Sequence, residues 1–128
     1  MERVTGIGGY FFKSKNNTKL NEWYEKNLGI GAQNGYDNGY DNGYWWQDAG
    51  PTIFYAETEE SDNYINYRVK DLDAMVEQLR AQGNEVHIDE RDNPEGKFAH
   101  LSDPEGNLIE LWQPYESEMI RPKTDPND

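Results

Sequence analysis

FAHLSDPEGNLIELWQP, residues 98–114, reads as a strand, a turn and a second strand. Asp103-Pro104-Glu105-Gly106 carries the turn: proline presets its own φ, aspartate bonds back to nearby backbone, and glycine accepts positive φ. Alternation on either side sorts the side chains onto two faces. Ala99, Leu101, Ile109 and Leu111 make the apolar face that belongs against a core. Matching them across the hairpin needs an odd-length loop, residues 103–107, because a one-residue slip sends every side chain to the wrong face. That register leaves Phe98, His100, Glu110 and Trp112 together on the second face. An acid, an imidazole and two aromatic rings there make a candidate site; the alternative is an edge hairpin with a solvated glutamate.

Working outward, the next strong signals are two helices. Asn16 or Asn17 can cap a helix over residues 18–28, in which Leu20, Trp23, Tyr24 and Leu28 fall on one stripe and Gly29 ends it. Asp71 caps a second helix over residues 72–82, with Leu72, Met75, Val76 and Leu79 as its stripe and Gly83 as the residue just past its end. Strands are expected at residues 4–13, 44–47, 51–56, 64–69 and 85–91. Gly8 and Gly9 in the first of them point to a bulge or a close backbone approach. The repeated Gly-Tyr-Asp-Asn of residues 34–46 reads as a polar loop, since Asn-Gly pairs are turn formers. Asp37, Asp41 and Asp48 lack the spacing of a calcium loop. ETEESDN, residues 57–63, is the best internal boundary, and residues 116–128 read as a tail, loose or laid over a neighbour.

The element order is therefore β-α-β-β followed by β-α-β-β-β, and the two halves superpose by pattern. Gly9 falls opposite Tyr64, and Lys13 opposite Arg68. We expect an α+β fold over residues 1–115, built from modules at 4–57 and 64–114.

Composition narrows the function. The 128 residues suffice for one domain with a modest core. A net charge of −13 disfavours nucleic acid and anionic membranes, which require a basic footprint. There is no cysteine, so thiolate and disulfide chemistry are absent. No apolar run approaches a membrane span, and the acidic residue near the start does not fit a signal peptide, so a cytoplasmic location is expected. Aromatics reach 13% of the chain, and tyrosine and tryptophan must share the core packing.

WYEKNLGI, VKDLDAMVEQLRAQG and LSDPEGNLIELWQP together resemble the vicinal oxygen chelate superfamily, the glyoxalase, bleomycin-resistance and extradiol-dioxygenase group, over residues 4–114. The resemblance implies paired βαβββ modules whose mixed sheet curls around a concave pocket, and a homodimer. In metal-dependent members the pocket-facing strands hold a divalent ion, and Glu110 matches the ligand of the last strand. The other ligand positions are changed: Gly9 and Tyr64 stand where histidines usually stand, and Phe54 or Tyr55 at a third place. A single carboxylate is too few ligands for a catalytic ion. We therefore expect no metal; Glu110 would be its ligand if one were present.

Glu110 then needs another partner, and His100 or Arg68 can supply it. A Glu110–His100 pair can do acid–base chemistry. Lys13 and Arg68 would favour an anionic ligand, while Phe11, Trp45, Phe98 and Trp112 could line an aromatic cleft. His87 alternates with Val86 and Ile88 and is expected in solvent. The expected function is small-molecule binding in a cup; the alternatives are a metal-dependent or Glu/His acid–base enzyme (lyase, isomerase or dioxygenase) and a ligand-free structural dimer.

Overall fold

The computed structural model describes residues 1–31, 45, 47, 48, 50 and 52–115. Helix α1 spans Asn17–Leu28. Strand β1 (Ile65–Arg68), helix α2 (Leu72–Ala81) and strands β2 (His87–Ile88), β3 (Gly96–Ser102) and β4 (Leu108–Pro114) follow. The strands form a four-stranded mixed sheet in the order β1-β4-β3-β2, which does not close into a barrel. β1 runs parallel to β4, and the other pairs are antiparallel. The class is α+β, as the alternation of apolar residues and the two helical stripes imply.

The hairpin has the anticipated register. Phe98 opposes Trp112, Ala99 opposes Leu111, His100 opposes Glu110 and Leu101 opposes Ile109, closed by a turn at residues 103–107. Asp103 explains why the turn is so well defined. Its buried carboxylate accepts the backbone N–H groups of Glu105 and Asn107 on Oδ1, and the Asn107 amide and Tyr24 hydroxyl on Oδ2. A buried carboxylate is tolerable only with such a set of donors.

Both helices pack on the apolar face. Leu20 and Tyr24 of α1, with Leu72, Val76 and Leu79 of α2, join Val86, Ala99, Leu101, Ile109 and Leu111 in one core. Side-chain oxygens of Asn16 and Asp71 accept the Lys19 and Ala74 N–H groups and start the two helices. Gly29, in the left-handed region at φ 69°, ends α1. Further bonds tie α1 to the second half: Asn84 donates to Asn27, and the Glu105 carboxylate accepts the Ser14 hydroxyl and the Lys15 N–H.

The first half departs from expectation. Residues 4–13 and 52–56 form no strand, and the expected 85–91 strand shrinks to two residues. Of the strand expected at 44–47, Trp45 and Gln47 belong to none of the strands among the described residues, and Tyr44 and Trp46 lie outside those residues. The physical reason is that a strand exists only by pairing: alternation supplies a face, but not a ladder partner. Gly6, Gly8 and Gly9 also remove the side chains that would pack an N-terminal strand. Val4, Ile7, Phe11, Ile53, Phe54 and Tyr55 are consequently exposed. The repeat loop apart from Trp45, and the 116–128 tail, lie outside the described residues.

Candidate functional site

The sheet face away from the helices carries the candidate site. Its geometry follows from register alone. Glu110 on β4 opposes His100 on β3 and lies beside Asn66 on β1, and His100 in turn opposes His87 on β2. Directly opposite residues point to the same side of a sheet, so Asn66, Glu110, His100 and His87 form one row across it. Glu110 accepts a bond from the Asn66 amide at 2.8 Å on Oε1, and Oε2 lies 2.7 Å from His100 Nε2. Its side chain is only 16% exposed, whereas that of His100 is 48% exposed. The carboxylate is thus set back and the imidazole stands forward of it.

The groups around this row are charged and mostly engaged. His87 is exposed, as anticipated, and lies 3.2 Å from Glu85. Asp89 belongs to the same face, and its N–H bonds to the Phe98 carbonyl. Side-chain and backbone bonds from Arg91 hold its carboxyl down from an ordinary 3.8 to about 2, with a smaller contribution from the nearby His100. Tyr64, on the same side of β1, has its phenol pushed up by burial and then by the charge of Glu110. Asn66 was the residue missed by sequence reasoning. The alternation Tyr64, Asn66, Arg68 places it on the correct face, but nothing in the sequence reveals the parallel register that sets it against Glu110.

The other site residues divide. Phe98 and Trp112 share the Glu110 face, but they are buried and stack on each other with centroids 6.2 Å apart, and the Trp112 indole donates to the Glu95 carbonyl. They act as packing beneath that end of the face, not as an open lining. Arg68 sits in their row, yet its guanidinium donates to the Asp48 carbonyl at 3.2 Å. The expectation that Arg68 partners Glu110 is corrected: Asn66, two residues earlier on the same strand, takes that place. Lys13 lies beside Ser14, Lys15, Glu105 and Asn107 around a shallow depression of about 330 Å³ at the turn end of the sheet. At roughly 3.3 Å per residue it stands some 15 Å along the strands from the Arg68 row, so the two cations do not clamp one anion. Phe11 is 94% exposed and away from the row. Trp45 packs edge-on against Tyr67, which belongs to the core side of β1. A second depression, about 430 Å³, lies near Tyr10, Tyr64 and Leu108, and Glu110 lines neither.

The donor set does not fit a divalent ion. Both Glu110 oxygens already accept bonds, one of them from an amide nitrogen that is no ligand, and only His100 stands next to the carboxylate. Among the described residues, no group of three or more His, Cys, Asp or Glu is arranged to hold a metal. Such sites need three or more protein ligands.

Comparison with known proteins places the fold. An antibiotic binding protein from Streptomyces sp. CB03234, TnmS3, shares the fold with a TM-score of 0.59 at 18% identity, covering 90% of this chain and 100% of that one. A protein from the mobile metagenome of V. Pseudocholerae gives a TM-score of 0.57 at 18% identity, covering 88% of this chain and 97% of the other. A glyoxalase/bleomycin resistance protein from the same Streptomyces strain is 37% identical over 38% of this chain and 42% of its own, with a TM-score of 0.35. No curated protein matches. The family model Glyoxalase/Bleomycin resistance protein/Dioxygenase superfamily matches residues 18–111, a span that takes in both helices and the sheet through Leu111. This chain belongs to that superfamily.

Proposed function

We propose that the protein binds a small, planar molecule on the Glu110 face and does so without a metal. The observation that carries this reading is the Glu110 carboxylate itself. It is largely withdrawn from water on a sheet face that neither helix covers, and its oxygens are held by an amide and an imidazole from the two flanking strands. The likeness to an antibiotic binding protein supports binding over turnover. The separation of Lys13 from Arg68 favours an aromatic over a strongly anionic ligand. The net charge of −13 points the same way and disfavours nucleic acid as a partner. No helix among the described residues is long and apolar enough to cross a membrane.

A thermal-shift screen of aromatic and phenolic compounds, run in chelator, tests this reading. A ligand that binds only the native state must raise the melting temperature, by RT ln(1 + [L]/Kd) in free-energy terms. The expected result is a rise that survives chelation. A rise only with added divalent ion, or none across the panel, overturns the reading. The 2.7 Å His100–Glu110 contact supports a second one, acid–base catalysis by that pair. Product formation abolished by Glu110→Gln would establish it. A homodimer is a further part of the proposal: among the described residues β1 is an edge strand, and Val4, Ile7, Phe11, Ile53, Phe54 and Tyr55 are exposed apolar side chains. Light scattering at micromolar concentration tests it, and a monomer mass would remove it.

A further inference from the structure

The geometry points to His100 as the group that meets the ligand, through Nδ1 as a hydrogen-bond acceptor, with Glu110 and Asn66 as positioning residues behind it. The ligand class that fits is one with a weakly acidic hydroxyl, a phenol or an enol. This rests on the binding reading above and deepens it.

The inference starts from what a carboxylate can accept. Ionised Glu110 is acceptor-only, so each partner must bring a hydrogen. At Oε1 that partner is the Asn66 amide nitrogen, 2.8 Å away. At Oε2 it is His100 Nε2, 2.7 Å away. Nε2 therefore carries the proton, and the neutral ring has its lone pair on Nδ1. Which nitrogen is protonated is set by the bond the other makes. Among the described residues Nδ1 has no hydrogen-bond partner, and the ring is the more exposed member of the pair.

Asn66 has a specific part in this. A carboxylate held by one bond can rotate and offer either oxygen to the ring. Held at Oε1 from β1, it presents Oε2 to β3 in one orientation. The strands impose that geometry, because Asn66, Glu110 and His100 are register partners in a continuous ladder. The other charged groups facing His100 are occupied elsewhere: Asp89 by Arg91 and His87 by Glu85. Tyr64, beyond Glu110, reaches Glu57. A donor on a ligand thus finds Nδ1 available, whereas a carboxylate ligand would meet the like charges of Glu110 and Asp89.

Two measurements test the proposal separately from the binding reading. The first uses the full chain without ligand: nitrogen-15 NMR of the imidazoles at a pH where they are neutral, with His87 as internal reference. The expected spectrum shows His100 as the Nε2–H tautomer with a downfield, slowly exchanging proton. Asn66→Ala should weaken that signal and Glu110→Gln should remove it, leaving His87 unmoved. A ring protonated on Nδ1, or a signal indifferent to both changes, overturns the positioning roles. The second compares 2-naphthol with its methyl ether by fluorescence titration. One hydrogen bond of about 1.4 kcal/mol predicts roughly tenfold tighter binding of the naphthol. The ratio should fall to near one in His100→Phe. Equal binding of both compounds by the unaltered protein removes the contact role of His100 and leaves the binding reading standing. Binding of neither removes both.

Discussion

The two halves of this chain carry similar element patterns and end in different states. Residues 65–114 hold every strand pairing among the described residues. Residues 1–31 contribute a helix, and that helix packs against the sheet of the other half. Phe98, Ala99, Leu101, Ile109, Leu111 and Trp112 are covered, whereas Phe11 and Phe54 stand in solvent. Alternation is thus a statement about faces. What turns a face into a sheet is a neighbour in register and a layer on top, and among the described residues only the second half has both.

The sharpest way to break this comparison is a pair of truncations. Leu111 is fully buried, and Leu111→Ala should cost about 2–5 kcal/mol. Phe54 is 92% exposed, and Phe54→Ala should stay within about 0.5 kcal/mol. Urea unfolding measures both. A large cost at Phe54 would mean that the first half packs in solution against something, a second copy included.

A smaller effect is expected where the halves touch. Tyr24 donates to the buried Asp103 at 2.7 Å. Removing that hydroxyl by Tyr24→Phe leaves an acceptor of a buried acid short of a partner and should cost about 1–3 kcal/mol. Asp103→Ala removes the turn bonds as well and should cost more than Tyr24→Phe on the same urea curves. If both changes cost nothing, the helix is not docked on the turn.

The acid response sharpens the same contrast. Glu105, bound by Ser14 and the Lys15 N–H, has its carboxyl lowered mainly by the Ser14 bond, and Asp89 is lowered to about 2 by Arg91. A depressed carboxyl favours the native state above its unfolded value, and that contribution disappears as pH falls through the folded value. For Asp89 the window runs from 3.8 down to about 2. The urea midpoint should fall over that window, and Glu105→Gln and Arg91→Ala should each flatten the fall. A midpoint that rises on acidification, or is blind to both substitutions, contradicts the assignment. The smallest effect belongs to the exposed Lys97–Asp73 pair, 2.9 Å apart, where Lys97→Met should change stability by less than about 1 kcal/mol.

How much of this could be read from the residues varies with the range of the interaction. The hairpin register, its five-residue turn, both helices and their caps follow from local rules, since the turn bonds of Asp103 and Gly106 and the cap bonds of Asn16 and Asp71 each reach only a few positions. The Glu110–His100 pair was legible for the same reason: the turn length fixes it. Asn66 was not, because parallel pairing of β1 with β4 is a contact across 44 positions. The burial of Phe98 and Trp112 was misjudged as a lining because alternation cannot say whether a loop covers a face. The Glu95 carbonyl over the Trp112 indole does so here. The strands expected at residues 4–13 and 52–56 failed for want of a ladder among the described residues, which no periodicity supplies.

The docking of α1 through Asp103 and Glu105 bears on how the polypeptide can be dissected. A fragment starting after the acidic stretch at 57–63 would include every strand among the described residues yet lose Leu20 and Tyr24 from its underside. It would also strip a phenol from a sequestered acid and a hydroxyl from the turn glutamate. The apparent repeat is therefore no pair of interchangeable blocks. The leading helix is an integral part of the trailing sheet, and cutting between them amputates a layer.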